Sequence, residues 1–340
     1  NDIFQDVLIN GTNSDYYDWF VWISESDNRD TQKGSWGQTI WYNPTDRTWL
    51  KNGYFNIHSS LSNKYYCAYF SDWMPDLNLE NPEVRQYIKD VGEFWLSDIG
   101  IAGFRMDATS HFYGHNEYLG ISDTHAKNIE VLTELNSYWE TINPDVYIVG
   151  EAWESYQLYG TYYASGISLM NFQASYNIRD MANGNLWTDI GSAMNQTYNT
   201  FNGYYENFID APFMSNHDMD RIIKQVGEDD ARIAAEILLT LPGNPFIYYG
   251  DEIGLYGTRT NMLFGDYYDS LFANYDDRNV ATVSEQLIDP DSLLNSYIAL
   301  GQTRQNSLAL SYGEFAPYNA SSLQGYYRYF ENGQDKELVI

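Results

Sequence analysis

The chain has 340 residues, enough for one large domain with insertions, and carries a formal charge of −29 from 47 acidic and 18 basic residues. Such a surface repels nucleic acid and anionic membranes, so neither is expected as a partner. A single cysteine, Cys67, excludes an internal disulfide and a cysteine-based metal cluster, and no apolar run reaches the roughly 18 residues of a membrane helix.

Residues 1–80 lack long periodic segments. They carry YYDWFVW, SWGQTIWY and KYYCAYF between polar, Gly-containing links, which predicts an irregular, partly β region rich in aromatic rings. The whole chain has 32 Tyr and 10 Trp. Sugar rings stack their apolar faces on such side chains, so the density points to carbohydrate. A helix is then signalled by Asn81 as cap, Pro82 at the first position and Glu83 at the positive end of the dipole. Val84, Ile88, Val91, Trp95 and Ile99 follow at helical spacing as its expected buried face, and Gly100 offers the stop.

The strand IAGFRMD comes next, with Arg105 and Asp107 two residues apart and so on one side of it. A helix is predicted over 124–142, closed by Asn143-Pro144, and then the strand VYIVGE. Further strands are predicted at ISLMNF, FIDAPFMSNHD and PFIYYGDE, and helices near 229–241 and 291–303. YYRYF and ELVI read as strands at the end. Strands alternating with helices mean parallel βα units, and in a βα barrel the active site forms at the C-terminal ends of the strands. Three strands here end in RMD, GE and NHD.

Those ends offer three carboxylates, Asp107, Glu151 and Asp218. Glycoside hydrolysis needs two, one as nucleophile or base and one as acid. Arg105 favours the charged form of Asp107 that a nucleophile needs, and Glu151 follows an apolar Val-Gly approach suited to a general acid. His217 and Asp218 could hydrogen-bond sugar hydroxyls. The same set also suits a metal site, although only His217 and His111 lie near these motifs. His58, His115 and His125 read as ordinary surface or core histidines. Phosphate loops with GK[ST], GxGxxG, GxSxG and HExxH motifs are absent from the sequence.

GFRMDATSH, VGEAW and MSNHD resemble three signature regions of glycoside hydrolase family 13, the α-amylase family, in the right order. MPDLN at Met74–Asn78 resembles the form found between oligo-1,6-glucosidases and neopullulanases, and PFIYYGDEIG resembles the eighth barrel strand. The resemblance implies a (β/α)8 TIM barrel, an α/β fold, with domain B at 1–80, the remaining barrel at 81–317 and the start of a β-sandwich at 318–340. The family's first signature, Asp-x-x-x-Asn-His, is not in the sequence, and in that register barrel strands one to three lie before residue 1.

By the same resemblance Asp107 is the nucleophile of a retaining mechanism, Glu151 the acid/base and Asp218 the stabiliser of the transition state. Arg105, His217, His111 and Trp153 would bind substrate. Asp76 and His111 would contribute to a structural calcium. Ser110-His111 departs from the Lys-His common in α-amylases, and Ala108 resembles enzymes that cut α-1,4 bonds. The expected activity is endo-acting hydrolysis of starch and maltooligosaccharides by a monomer outside the cell or at its surface. The rivals are an α-glucosidase, maltogenic enzyme or transglycosylase of the same family, and a binding-only relative, against which all three carboxylates argue.

Overall fold

The computed structural model describes residues 2–27, 32–47, 50, 56–114, 123–185, 189–265, 268–320 and 323–339. The chain divides into two compact units, 1–151 and 152–340. No helix among the described residues is long and apolar enough to cross a membrane.

The first unit opens with the helix Asp2–Asn10, which buries Phe4, Val7 and Leu8. Three short strands follow, β1 (Trp22–Ser24), β2 (Trp41–Tyr42) and β3 (Lys64–Cys67). They form an antiparallel sheet in the order β1-β3-β2, with Trp22 opposite Tyr66 and Trp41 opposite Cys67. Val21, Ile23, Ile40, Trp41 and Cys67 make its core. The partly β, aromatic-rich character expected of this region is what the rings produce: Phe4 packs edge-on against Phe20 at 4.8 Å and against Tyr66 at 5.1 Å.

The helix Pro82–Glu93 starts as the sequence predicts, with the Asn81 side chain accepting the Glu83 N–H at 2.9 Å. Its buried face differs from the expected one. Val91, Trp95 and Ile99 are exposed, whereas Val84, Gly92 and Leu96 are buried. Residues 84, 88, 92 and 96 follow one another by fours, and the α-helix gives way to a π turn over Phe94–Ile99. Gly92 is needed there: a Cβ would lie 2.1 Å from Trp139 Nε1 on the neighbouring helix Thr124–Ile142. β4 (Gly103–Met106) and β5 (Tyr147–Gly150) pair in parallel, Arg105 opposite Val149 and Met106 opposite Gly150.

In the second unit β6 (Ser168–Asn171) and β7 (Asp210–Pro212) pair in parallel, Leu169 opposite Asp210. Two helices unmarked in the sequence reading, Phe172–Ala182 and Ile190–Asn202, lie between them in the chain. Asn171 and Asp189 cap them, a signal the sequence carried. The helices Glu228–Thr240 and Leu293–Asn306 follow the predicted ranges to within a few residues. The predicted strand PFIYYGDE does not form as a strand. It makes one parallel bridge, Phe213 to Phe246, and then turns at Gly250 into the short helix Asp251–Ile253. β8 (Glu314–Ala320), β9 (Leu323–Glu331) and β10 (Lys336–Val339) make an antiparallel sheet in the order β10-β9-β8, which contains the predicted YYRYF and ELVI strands.

At the start of β7 the carboxylate of Asp210 is 2 % exposed and accepts from Tyr163 Oη at 3.0 Å and Asn171 Nδ2 at 2.8 Å. Burial pushes its pKa up to about 6, against these donors. A pKa higher in the folded than in the unfolded chain means stability that is present below about pH 4 and lost as pH rises through about 6. Asp210→Asn removes that charge, and the Tyr163 hydroxyl can turn to accept from the new amide. Relative to wild type, the variant is expected to gain roughly 3 kcal/mol of stability between pH 4 and pH 7, as urea unfolding at the two pH values checks.

Candidate active site

In the first unit the site is built where β4 and β5 end. Asp107 follows the last residue of β4 and Glu151 the last residue of β5. Because the strands are parallel and in register, both carboxylates leave the sheet at the same end. Arg105 joins them. One of its terminal nitrogens is hydrogen-bonded to Asp107 Oδ1, and the other is 3.6 Å from Glu151 Oε2. The two acids differ in setting: the Asp107 side chain is 72 % exposed and that of Glu151 only 10 %.

The backbone after Asp107 is turned for this. Ala108 has φ of 46°, the one described non-glycine residue in the left-handed region. Such a conformation costs of order 1 kcal/mol and persists where surrounding bonds hold it. Here the Ala108 N–H donates to Glu151 Oε2 at 3.1 Å, and the N–H of Thr109 donates to the Glu151 carbonyl at 2.8 Å. Glu151 Oε2 therefore faces a backbone donor and a guanidinium, which fixes the side chain under the exposed Asp107.

His111 follows in the same turn, its N–H donating to the Ala108 carbonyl at 2.8 Å. Its ring stacks on Tyr69 at 4.9 Å and meets Phe70 edge-on at 5.5 Å. Burial, with nearby His125, lowers its pKa, so the ring is a neutral aromatic surface near pH 7. His58 is spent locally, its Nδ1 2.8 Å from Ser60 Oγ, and His115 lies outside the described residues.

Asp76, the expected calcium ligand, is half-buried, with its Oδ2 accepting from the Tyr69 N–H at 2.9 Å and 3.3 Å from the Cys67 thiol. Burial pushes it up to about 6. The described residues contain no group of three or more His, Cys, Asp or Glu able to hold a metal. Asp76 supplies one carboxylate of the six to eight oxygens that calcium takes, and no step is routed through the ion.

In the second unit Asp218 lies in the segment after β7. Its Oδ1 accepts from Arg259 Nη2 at 2.5 Å, and its Oδ2 is 3.1 Å from His217 Nε2. Arg259 also donates from Nε to the His217 carbonyl at 2.9 Å, so one guanidinium clamps both residues. Sequence reasoning missed Arg259. Its only mark was a cation in the Gly-Thr-Arg-Thr loop after Asp251. Deeper down, Ser215 donates to Asp251, whose other oxygen is 3.1 Å from Arg221 Nη1. That buried pair anchors the segment carrying His217 and Asp218. Trp153 is 46 % exposed, with its indole N–H on Tyr176 Oη at 2.9 Å and its ring stacked on Phe172 at 4.9 Å.

A family model described as the α-amylase catalytic domain matches residues 1–282. Alpha-amylase 3 of Dictyoglomus thermophilum is 32 % identical over 319 residues, covering 89 % of this chain and 57 % of its own length. Alpha-amylase SusG of Bacteroides thetaiotaomicron is 32 % identical over 308 residues, 81 % of this chain and 44 % of its own. The chain thus spans about half the length of the curated relatives it matches. A solved α-amylase from H. orenii superposes with a TM-score of 0.79 at 29 % identity, covering 98 % of this chain and 66 % of that one. The fold is accordingly the TIM-barrel type of α/β fold. From the motifs, the paired strand ends and these likenesses together, the chain belongs to the α-amylase catalytic-domain family, glycoside hydrolase family 13.

Proposed function

We propose that the protein is a retaining, endo-acting α-amylase that hydrolyses α-1,4-glucosidic bonds in starch and maltooligosaccharides. The observation that carries this is the Arg105 bridge between an exposed Asp107 and a buried Glu151, with the Ala108 N–H on the same Glu151 oxygen. An exposed carboxylate held by a guanidinium suits attack on an anomeric carbon, and a sheltered, oriented carboxyl suits proton transfer to the leaving oxygen.

In this reading Asp107 forms the glycosyl-enzyme bond while Glu151 protonates the departing glucosyl oxygen. Glu151 then takes a proton from water, which attacks the same carbon and frees Asp107, so configuration is retained. Asp218, His217 and the Arg259 that clamps them are assigned to ring hydroxyls and to the charge of the transition state. Ala108, small and set in the left-handed region, agrees with the α-1,4 preference that its position in the motif suggests. Action outside the cell follows from a substrate that is a polymer.

The test is a product time course on amylose and maltoheptaose. Mixed short maltooligosaccharides at the earliest points are expected. Glucose alone from the start would replace the reading with an α-glucosidase, and products longer than maltoheptaose would replace it with a transglycosylase.

A further inference from the structure

We propose that Trp36 is a sugar-stacking platform, a subsite that binds a glucose unit of the glucan chain beyond the pair being cleaved and so sets preference for long substrates. The inference rests on the glucan reading above. Trp36 is 75 % exposed, on a hairpin closed by the Lys33–Thr39 bridge. A large apolar ring left in water is unfavourable, and the backbone that carries this one is tied down. The backbone N–H of Trp36 donates to Gln38 Oε1 at 3.0 Å, while Gln38 Nε2 donates to the carbonyls of Tyr69 at 2.8 Å and Phe70 at 3.2 Å. Gly34 makes room for that clamp, since a Cβ would lie 2.2 Å from Gln38 Nε2 and 2.4 Å from the Tyr69 carbonyl. Beside the indole, Gly37 faces open space at φ of 76°.

The platform is continuous with the catalytic pair. Trp36 meets Phe70 at 5.8 Å, and Phe70 meets His111 at 5.5 Å. The His111 N–H is bonded to Ala108, whose own N–H holds Glu151. An aromatic row thus runs from His111, in the turn that follows Asp107, through Phe70 to the exposed indole of Trp36. A neutral glucan, with an apolar face on every ring, is the occupant that this row and the chain's −29 charge favour.

The test compares Trp36→Ala, Trp36→Phe and Gln38→Ala with wild type in the full protein. The ratio of kcat/KM on maltoheptaose to that on maltotriose is expected to fall roughly three- to tenfold in Trp36→Ala, chiefly through KM. Trp36→Phe should restore most of it, and Gln38→Ala, which frees the hairpin, should lose part. Calorimetric titration with maltoheptaose in an Asp107→Asn background should show the same loss of affinity for Trp36→Ala. Equal loss on both substrates, or an unchanged ratio with unchanged affinity, overturns the platform. So does a shift in size-exclusion elution with the ratio intact, which would make the indole a contact between copies. Hydrolysis surviving Asp107→Asn overturns the underlying reading instead, so the two failures are separate.

Discussion

Replacing Asp107 by Asn is expected to lower starch hydrolysis by roughly 10⁴-fold or more, since loss of a covalent nucleophile removes about 5.5 kcal/mol or more of transition-state stabilisation. The fold should survive. The side chain is 72 % exposed, and the amide oxygen of Asn can still accept the Arg105 N–H. What is lost is the negative charge that attacks the anomeric carbon and the electron pair that forms the ester. Ala108 and Thr109 keep their bonds to Glu151, so the acid/base stays where it is. Reducing-sugar release read beside the thermal midpoint separates the outcomes: activity gone with Tm within a degree or two supports the assignment. Activity within tenfold of wild type, in a folded variant, would show that Asp107 is not the nucleophile.

Asp107 and Glu151 were legible in the sequence because each stands one residue beyond an apolar strand, where period-two geometry and the parallel pairing leave little freedom. Arg105 was legible for the same reason. Asp218 is six residues past the end of β7 and was found through its motif, not its periodicity. Arg259 is 41 residues beyond Asp218, and nothing local marks a loop arginine as the partner of a distant carboxylate. The buried face after Val84 escaped too, because apolar residues stand on two neighbouring rows, Val91, Trp95 and Ile99 on one and Leu96 on the other, and spacing alone does not say which of them meets the core. The run PFIYYGDE has a strand's composition but, among the described residues, only the Phe246 bridge to a neighbour. A strand exists through its pairing, and composition alone does not supply it.

Asp251→Ala is expected to cost roughly 3–5 kcal/mol of stability, because it leaves the Arg221 guanidinium buried without its counter-charge. Both side chains are essentially sealed, at 0 % and 1 % exposure. Burial, with a smaller push from the Glu252 charge, holds the Asp251 carboxyl up near 6 even with Arg221 and Ser215 beside it, so the site is short of polarity and cannot absorb an unpaired cation. Arg221 is further boxed by the faces of Tyr248 at 4.3 Å and Tyr249 at 4.9 Å, which favour the cation but do not neutralise it. Pairing the change with Arg221→Met should recover part of the loss, since the charge goes but the carbonyls of Tyr249 and Gly257 lose their donor. Urea unfolding of the two single variants and the double one gives the coupling. A cost below about 1 kcal/mol for Asp251→Ala would mean that water reaches Arg221 after all. The same variant reads out on function, because Ser215 loses its acceptor three residues before Asp218. At a temperature where the variant is still folded, kcat should fall more than KM rises, as expected when a group that grips the transition state is loosened rather than removed.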